Sequence, residues 1–291
     1  MVSPYRSSPR SLNLARVQWR IMTILHRNNV VVTGDAGPVL VFAHGLGCDQ
    51  TMWRAVASPF AGSARVVLFD HVGSGNSDSA AFDPGRHGRL EGYAADLVEV
   101  IDAVGLGPVI FVGHSVSATI GVIAANQRPD LFASLVLVCG SPCYIDTDDY
   151  RGGFALADVE DLLDLMSKNM IDWSAQMAPS VAGLQAPGAQ ADWAASVCRL
   201  DPAAARAFAR ATFLSDHRAA YAAVPVPTLL LDSLDDALAP SFVGAWMQAN
   251  IPDCERVVLP TEGHSPHMTA PDITLAALAR HLDRPRGRQV A

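Results

Sequence analysis

A serine hydroxyl is a weak nucleophile at neutral pH; it becomes useful when an imidazole takes its proton and a carboxylate orients the imidazole. The 291-residue chain offers a candidate for each part just beyond a short apolar run. Gly113-His114-Ser115-Val116-Ser117 follows the run 108–112 and opens a segment of small residues. That is the strand–turn–helix context in which a sharp turn lifts a serine above a sheet, provided its neighbours are small. Gly113 meets that need. Ser117 stands where a second glycine is usual, and it is small enough to serve while donating a local hydrogen bond. Ser115 would sit at the positive end of the following helix; the plainer alternative is a helix N-cap serine. The run 228–231 leads into Asp232-Ser233-Leu234-Asp235-Asp236, and the run 256–259 into Thr261-Glu262-Gly263-His264. Serine, acid, histidine is the chain order of such sites on parallel sheets. Ser115 is therefore the expected nucleophile, His264 the base and Asp236 the orienting acid.

Each role has a competitor. Asp235 and Asp236 point to opposite sides of an extended backbone, so only one can face the base. Asp236 is preferred, which leaves Asp232 and Asp235 as solvated loop charges. His267 competes with His264, but Gly263 gives His264 room for a tight turn, so His267 is assigned to packing or the pocket wall. His44-Gly45-Leu46-Gly47 closes the run 39–43. The backbone N–H groups of Leu46 and Val116 are the expected oxyanion donors; a plain glycine turn is the alternative reading of that stretch.

Such a site needs a sheet whose strand ends converge. The segment 29–33 reads as an edge strand, and short apolar runs at 39–43, 65–69, 108–112, 135–139, 228–231 and 256–259 read as strands buried on both faces. Helical patterns at 90–104 and 116–126 fall between them, which indicates an α/β fold with a mostly parallel sheet. Between 139 and 228 no strand-like run occurs, and 156–177, 193–199 and 202–213 look helical. A connection of that length is usually functional, and the expectation is an inserted helical lid. The expected division is a core of 22–142 and 217–285, a lid of 143–216 and a tail of 286–291. The first 21 residues carry Arg6, Arg10, Arg16 and Arg20 with no acid, and read as an unstructured extension. On the lid, Met166, Met170, Trp173 and Met177 recur at helical spacing. The stripe either packs against other lid helices or lines an apolar pocket; Met166, Met170, Trp173 and His267 are the candidate pocket residues.

Composition bounds the rest. Half of the residues are hydrophobic and 17% are charged, against about 25% charged in ordinary soluble domains. A disordered chain is excluded. A net charge of −8 argues against nucleic acid or an anionic membrane as partner, and no apolar run reaches the length of a membrane span. Five cysteines, without a CxxC pair or zinc-ligand spacing, suit a reduced, cytoplasmic protein with no metal. No cofactor motif occurs, and a monomer is the default expectation.

Several motifs together resemble one group. Asn28-Asn29-Val30, Gly45-Leu46-Gly47-Cys48-Asp49-Gln50 with Trp53, Leu68-Phe69-Asp70-His71-Val72-Gly73-Ser74-Gly75, Gly113-His114-Ser115-Val116, Ser141-Pro142-Cys143-Tyr144, Ser215-Asp216-His217-Arg218 and Gly263-His264-Ser265-Pro266-His267-Met268 are similar to the RsbQ-like α/β-hydrolases. That group includes a bacterial stress-signalling protein and the plant strigolactone and karrikin receptors. The resemblance covers roughly residues 24–283. It implies an α/β-hydrolase fold with a four-helix lid, a triad of Ser115, Asp236 and His264, and oxyanion donors at Leu46 and Val116. A bulky aromatic often stands in the group where Leu46 does, which bears on pocket shape. The expected function is a serine hydrolase for a small, mostly apolar ester or lactone. The alternative is a ligand sensor acting with a phosphatase that carries a PAS domain; a lyase or C–C hydrolase reaction is a weaker third option.

Overall fold

The computed structural model describes residues 9–283. Seven strands form one sheet: β1 (Val31–Thr33), β2 (Val39–Ala43), β3 (Arg65–Leu68), β4 (Val109–His114), β5 (Phe132–Val138), β6 (Thr228–Asp235) and β7 (Cys254–Glu262). Their order is β1-β3-β2-β4-β5-β6-β7. Only the β1–β3 pair is antiparallel. Every residue of β2 and β4 is buried. This is why those segments read as continuous apolar runs rather than alternating ones.

Helices cover both faces. On one side lie α2 (Leu90–Val104) and α3 (Val116–Gln127), after a first helix α1 (Pro9–Arg27). Leu97, Val100 and Ile120 join Phe111 and Leu135 in this layer. Residues 116–125 of α3 are buried, as expected of a helix apolar all round. The other face packs Trp53, Phe60 and Leu278 against Leu40, Val112 and Leu229.

Beside a short helix at Arg218–Ala222, four longer helices fall between β5 and β6: α4 (Leu156–Lys168), α5 (Met170–Ala182), α6 (Pro187–Val197) and α7 (Pro202–Phe213). They share a third apolar cluster with Cys48, Tyr144 and Leu238 at the carboxyl edge of the sheet. The segment 156–177, read as one helical stretch, is two helices. Asn169 breaks it by accepting the N–H groups of Ile171 (3.1 Å) and Asp172 (3.2 Å), the role of an N-cap side chain. A second correction concerns the stretch up to residue 21, which is helical from Pro9 onward rather than unstructured. No glycine or proline interrupts residues 10–33. The helix is anchored at its far end, where Ile24 enters the core and Arg27 pairs with Glu99 at 2.7 Å. The tail 286–291 lies outside the described residues.

The loops at the carboxyl edge are tied together by Asp70. Its carboxylate accepts from the N–H of Gln50 (2.8 Å), the amide of Asn29 (2.7 Å) and the N–H of Asn76 (2.9 Å), and it is 1% exposed. Removing a buried charged acceptor strands its donors. Asp70→Ala is expected to lower unfolding free energy by roughly 2–4 kcal/mol in urea. A loss below about 0.5 kcal/mol, the range of ordinary surface changes, would show that the knot is not needed.

Candidate active site

Ser115 sits between β4 and α3 with φ 56° and ψ −123°. Left-handed backbone at a non-glycine residue costs on the order of 1–3 kcal/mol and persists only where the surroundings enforce it. Here the Ser115 N–H donates to the Val138 carbonyl at 2.8 Å. Gly113 allows the helix to turn back: a Cβ there would lie 2.5 Å from the Ser117 carbonyl oxygen and 2.6 Å from the Phe111 ring. Ser117 donates to the His44 carbonyl at 2.5 Å and accepts from His71 Nε2 at 2.7 Å. The residue that replaces the second glycine thus binds the elbow to the loop carrying Leu46.

The three expected groups meet. Ser115 Oγ lies 2.7 Å from His264 Nε2, and His264 Nδ1 lies 2.8 Å from Asp236 Oδ2. All three are nearly inaccessible to water. Facing a carboxylate, Nδ1 carries the ring proton, which leaves Nε2 free to accept from the serine. The other Asp236 oxygen accepts the N–H groups of Leu238 (2.8 Å) and Ala239 (3.0 Å). Burial alone would push the Asp236 carboxyl up, but the His264 ring and these two amides outweigh it and hold the group below the usual carboxylate range. Asp235 is exposed, and its carbonyl accepts from the Gly263 N–H. Asp232, expected to be solvated, is instead buried and pairs with Arg256 at 2.6 Å. Its strand position points it inward, where a guanidinium meets it.

Val116 opens α3, so its N–H has no partner within the helix. Leu46 lines the same cavity as Ser115 and His264. The cavity is also lined by Trp173, Met177, Val181, Trp193, Thr212 and Phe213 of the inserted helices and by Tyr144 and Leu238. Its free volume is about 30 Å³, room for about two waters. Beyond Met177 and Leu238 an open groove of about 530 Å³ begins. Of the expected pocket residues, Trp173 lines the cavity. Met166 and Met170 pack among the inserted helices, and His267 lies behind, its ring tilted against Trp53 (4.3 Å between centroids) and His114 (4.4 Å). Tyr144 was legible only as part of a motif; burial pushes its phenol up, with the nearby Ser115 hydroxyl working against that.

One cluster has ligand types that a metal could use. Cys139, Asp236 and His264 offer atoms within 4.8 Å of one another. Asp236 and His264 are already engaged with each other, and burial holds the Cys139 thiol protonated, so the group is a triad with a thiol neighbour.

The chain belongs to the α/β-hydrolase family, whose model matches residues 40–277. Among curated relatives, a probable esterase of Oryza sativa subsp. japonica is 38% identical over 88% of this chain and 95% of its own. A karrikin insensitive 2 receptor of Petunia hybrida is 36% identical over 88% of this chain and 95% of its own. A solved hydrolase from Oleispira antarctica superposes with a TM-score of 0.88 at 37% identity, covering 91% of this chain and 98% of that one. Among the described residues no helix is long and apolar enough to cross a membrane.

His267 is fully buried, and burial, with the His264 ring second, lowers its pKa from 6.5 to about 3. The folded state thus excludes a proton that the unfolded chain takes up below pH 6.5, and stability is lost as pH falls from 6.5 towards 3. His267→Phe is expected to flatten the stability slope in that window by about 1.4 kcal/mol per pH unit. An unchanged slope in pH-resolved urea titrations would contradict this.

Proposed function

We propose that the protein is a serine hydrolase that cleaves small, mostly apolar esters or lactones through an acyl-enzyme on Ser115. The observation that carries this reading is the buried relay of 2.7 and 2.8 Å from Ser115 through His264 to Asp236. Ser115 Oγ attacks the carbonyl carbon while His264 Nε2 takes its proton. Asp236, held ionised, stabilises the imidazolium. The oxygen that gains charge is met by the N–H groups of Leu46 and Val116. When the tetrahedral adduct collapses, His264 returns the proton to the departing alkoxide, and the acyl group stays on Ser115. A water then repeats the sequence, with His264 as base, and releases the acid.

Substrate class follows from the walls. Leu46, Trp173, Met177, Val181, Trp193, Phe213 and Leu238 offer an apolar surface. They suit an acyl or lactone group without charge. The small free volume makes the segment 143–216 a lid that must yield to admit such a ligand, with Met177 and Leu238 standing between site and outer groove.

A second reading is favoured by that same tightness and by relatives named as receptors. In it the protein binds or slowly processes a ligand and then engages another protein, for which a phosphatase with a PAS domain is the partner proposed. Five free cysteines suit a reducing cytoplasm, and the protein is taken to act as a monomer.

Short-chain nitrophenyl esters and lactones separate the readings. Sustained turnover that is lost in Ser115→Ala supports the hydrolase. A single slow turnover that stalls as an adduct supports the sensor. Equal activity of Ser115→Ala and wild type would overturn both. Asp236→Asn is expected to lower kcat by roughly 10³–10⁴-fold, and Asp235→Asn by less than about threefold. The reverse order would reassign the acid.

A further inference from the structure

We propose that Glu262 is a positioning residue for this hydrolysis, latching the end of α5 to the loop that carries the base. The inference rests on the hydrolase reading. His264 is gripped by its main chain from two sides. Its carbonyl accepts from His114 Nε2 at 2.8 Å, and its N–H donates to the Ser180 carbonyl at 3.2 Å. Ser180 lies in the last turn of α5, where carbonyls lack partners within the helix. The amide of the base therefore caps the helix above it.

Glu262 supplies the second fastening. Its Oε1 accepts the N–H of Leu184 at 2.9 Å, immediately after Gly183 ends α5. A charged acceptor makes a stronger bond than the neutral carbonyl beside it. The two backbones touch with nothing between them. A Cβ on Gly263 would lie 2.4 Å from the Gly183 nitrogen, and Gly263, at φ 86°, needs its left-handed freedom as well. The Gly263 N–H also donates to the Asp235 carbonyl at 2.8 Å, one residue before the acid. The turn 262–264 is thus clamped between the end of β6 and the end of α5.

Met177, one turn earlier on α5, is a wall of the cavity. A ligand larger than the free volume displaces α5 or its side chains. Through Ser180–His264 and Leu184–Glu262 that displacement reaches Nε2, where a small misplacement is costly in rate. The closed helix and the aligned base are one state, and the Glu262 bond keeps them together. A carboxylate that merely stabilised the fold would not change the alignment of the base, and this difference is measurable.

The bond is removed from each side, in Glu262→Ala and in Leu184→Pro. Leu184 is exposed and opens a turn, where proline is accepted. Glu262→Gln keeps an acceptor. Wild type and variants are compared with a short-chain nitrophenyl ester, well below each unfolding midpoint. The low-field proton resonance of His264 Nδ1–H is recorded on the same samples. Glu262→Ala and Leu184→Pro should each lower kcat about tenfold with KM within about twofold. Both should shift or broaden the resonance, and the double variant should fall no further. Glu262→Gln should stay within about twofold of wild type. Unchanged kcat and resonance in the two bond-breaking variants would overturn the proposal. So would a Glu262→Gln as impaired as the alanine variant, or a loss confined to the unfolding midpoint. Absence of Ser115-dependent turnover in wild type would instead defeat the hydrolase reading, and the resonance would still test the latch.

Discussion

A single strained residue organises this molecule. Ser115 can hold its left-handed backbone only if the strand before it and the helix after it are packed too tightly to relax. That demand explains the glycine at 113, the small residues along α3, and the hydrogen bond from Ser115 to the neighbouring strand. It also explains Ser117, whose hydroxyl pulls the His44 carbonyl onto the elbow. The loop bearing Leu46 is consequently placed by the same contact that stiffens the turn. The proposed nucleophile and the amide proposed to meet the developing oxyanion are set by one local structure, not by two adjustable ones.

The other two functional groups arrive on later strands, and parallel pairing makes their positions commensurate. Because β4, β5, β6 and β7 run side by side in the same direction, their carboxyl ends open on one edge. The loops there place the base within a hydrogen bond of the serine and the acid within a hydrogen bond of the base. Burial gives the arrangement its electrostatic character. The Asp236 carboxylate is kept charged by the imidazole and two amides against the cost of desolvation. Beside the base, His114 and His267 are kept neutral by burial. The inserted helices seal this environment, and one of them is hydrogen-bonded to the main chain of the base.

Much of this was readable in advance, for identifiable reasons. Strands buried on both faces must be continuous apolar runs, so the central strands could be marked from the sequence; β7, read as one of them at 256–259, is instead only partly buried, because it lies at the sheet edge. An elbow tolerates few residue types, so Gly113-His114-Ser115-Val116-Ser117 announced itself, and the acid and the base followed from their places after strands. Information that depends on which elements meet was not readable. The periodicity of Met166, Met170, Trp173 and Met177 shows a helix face but not what that face meets; Trp173 and Met177 reach the cavity, while the other two pack on neighbouring helices. Asp232 reads with Asp235 as a solvated loop charge, because its partner Arg256 lies on a neighbouring strand. Asn169 did carry a local signal, that of a helix-capping residue, which the apolar spacing across it obscured. Glu262 carried none, since its importance arises from a helix end 78 residues earlier in the chain.

The central claim is that Ser115 is the nucleophile that its neighbours have been arranged to serve. Exposure of the protein to a fluorophosphonate probe, followed by intact-mass measurement and peptide mapping, tests it directly. The account predicts one adduct per chain, located on Ser115 and absent from Ser115→Ala. An adduct on any other residue, or one that persists in Ser115→Ala, would contradict it.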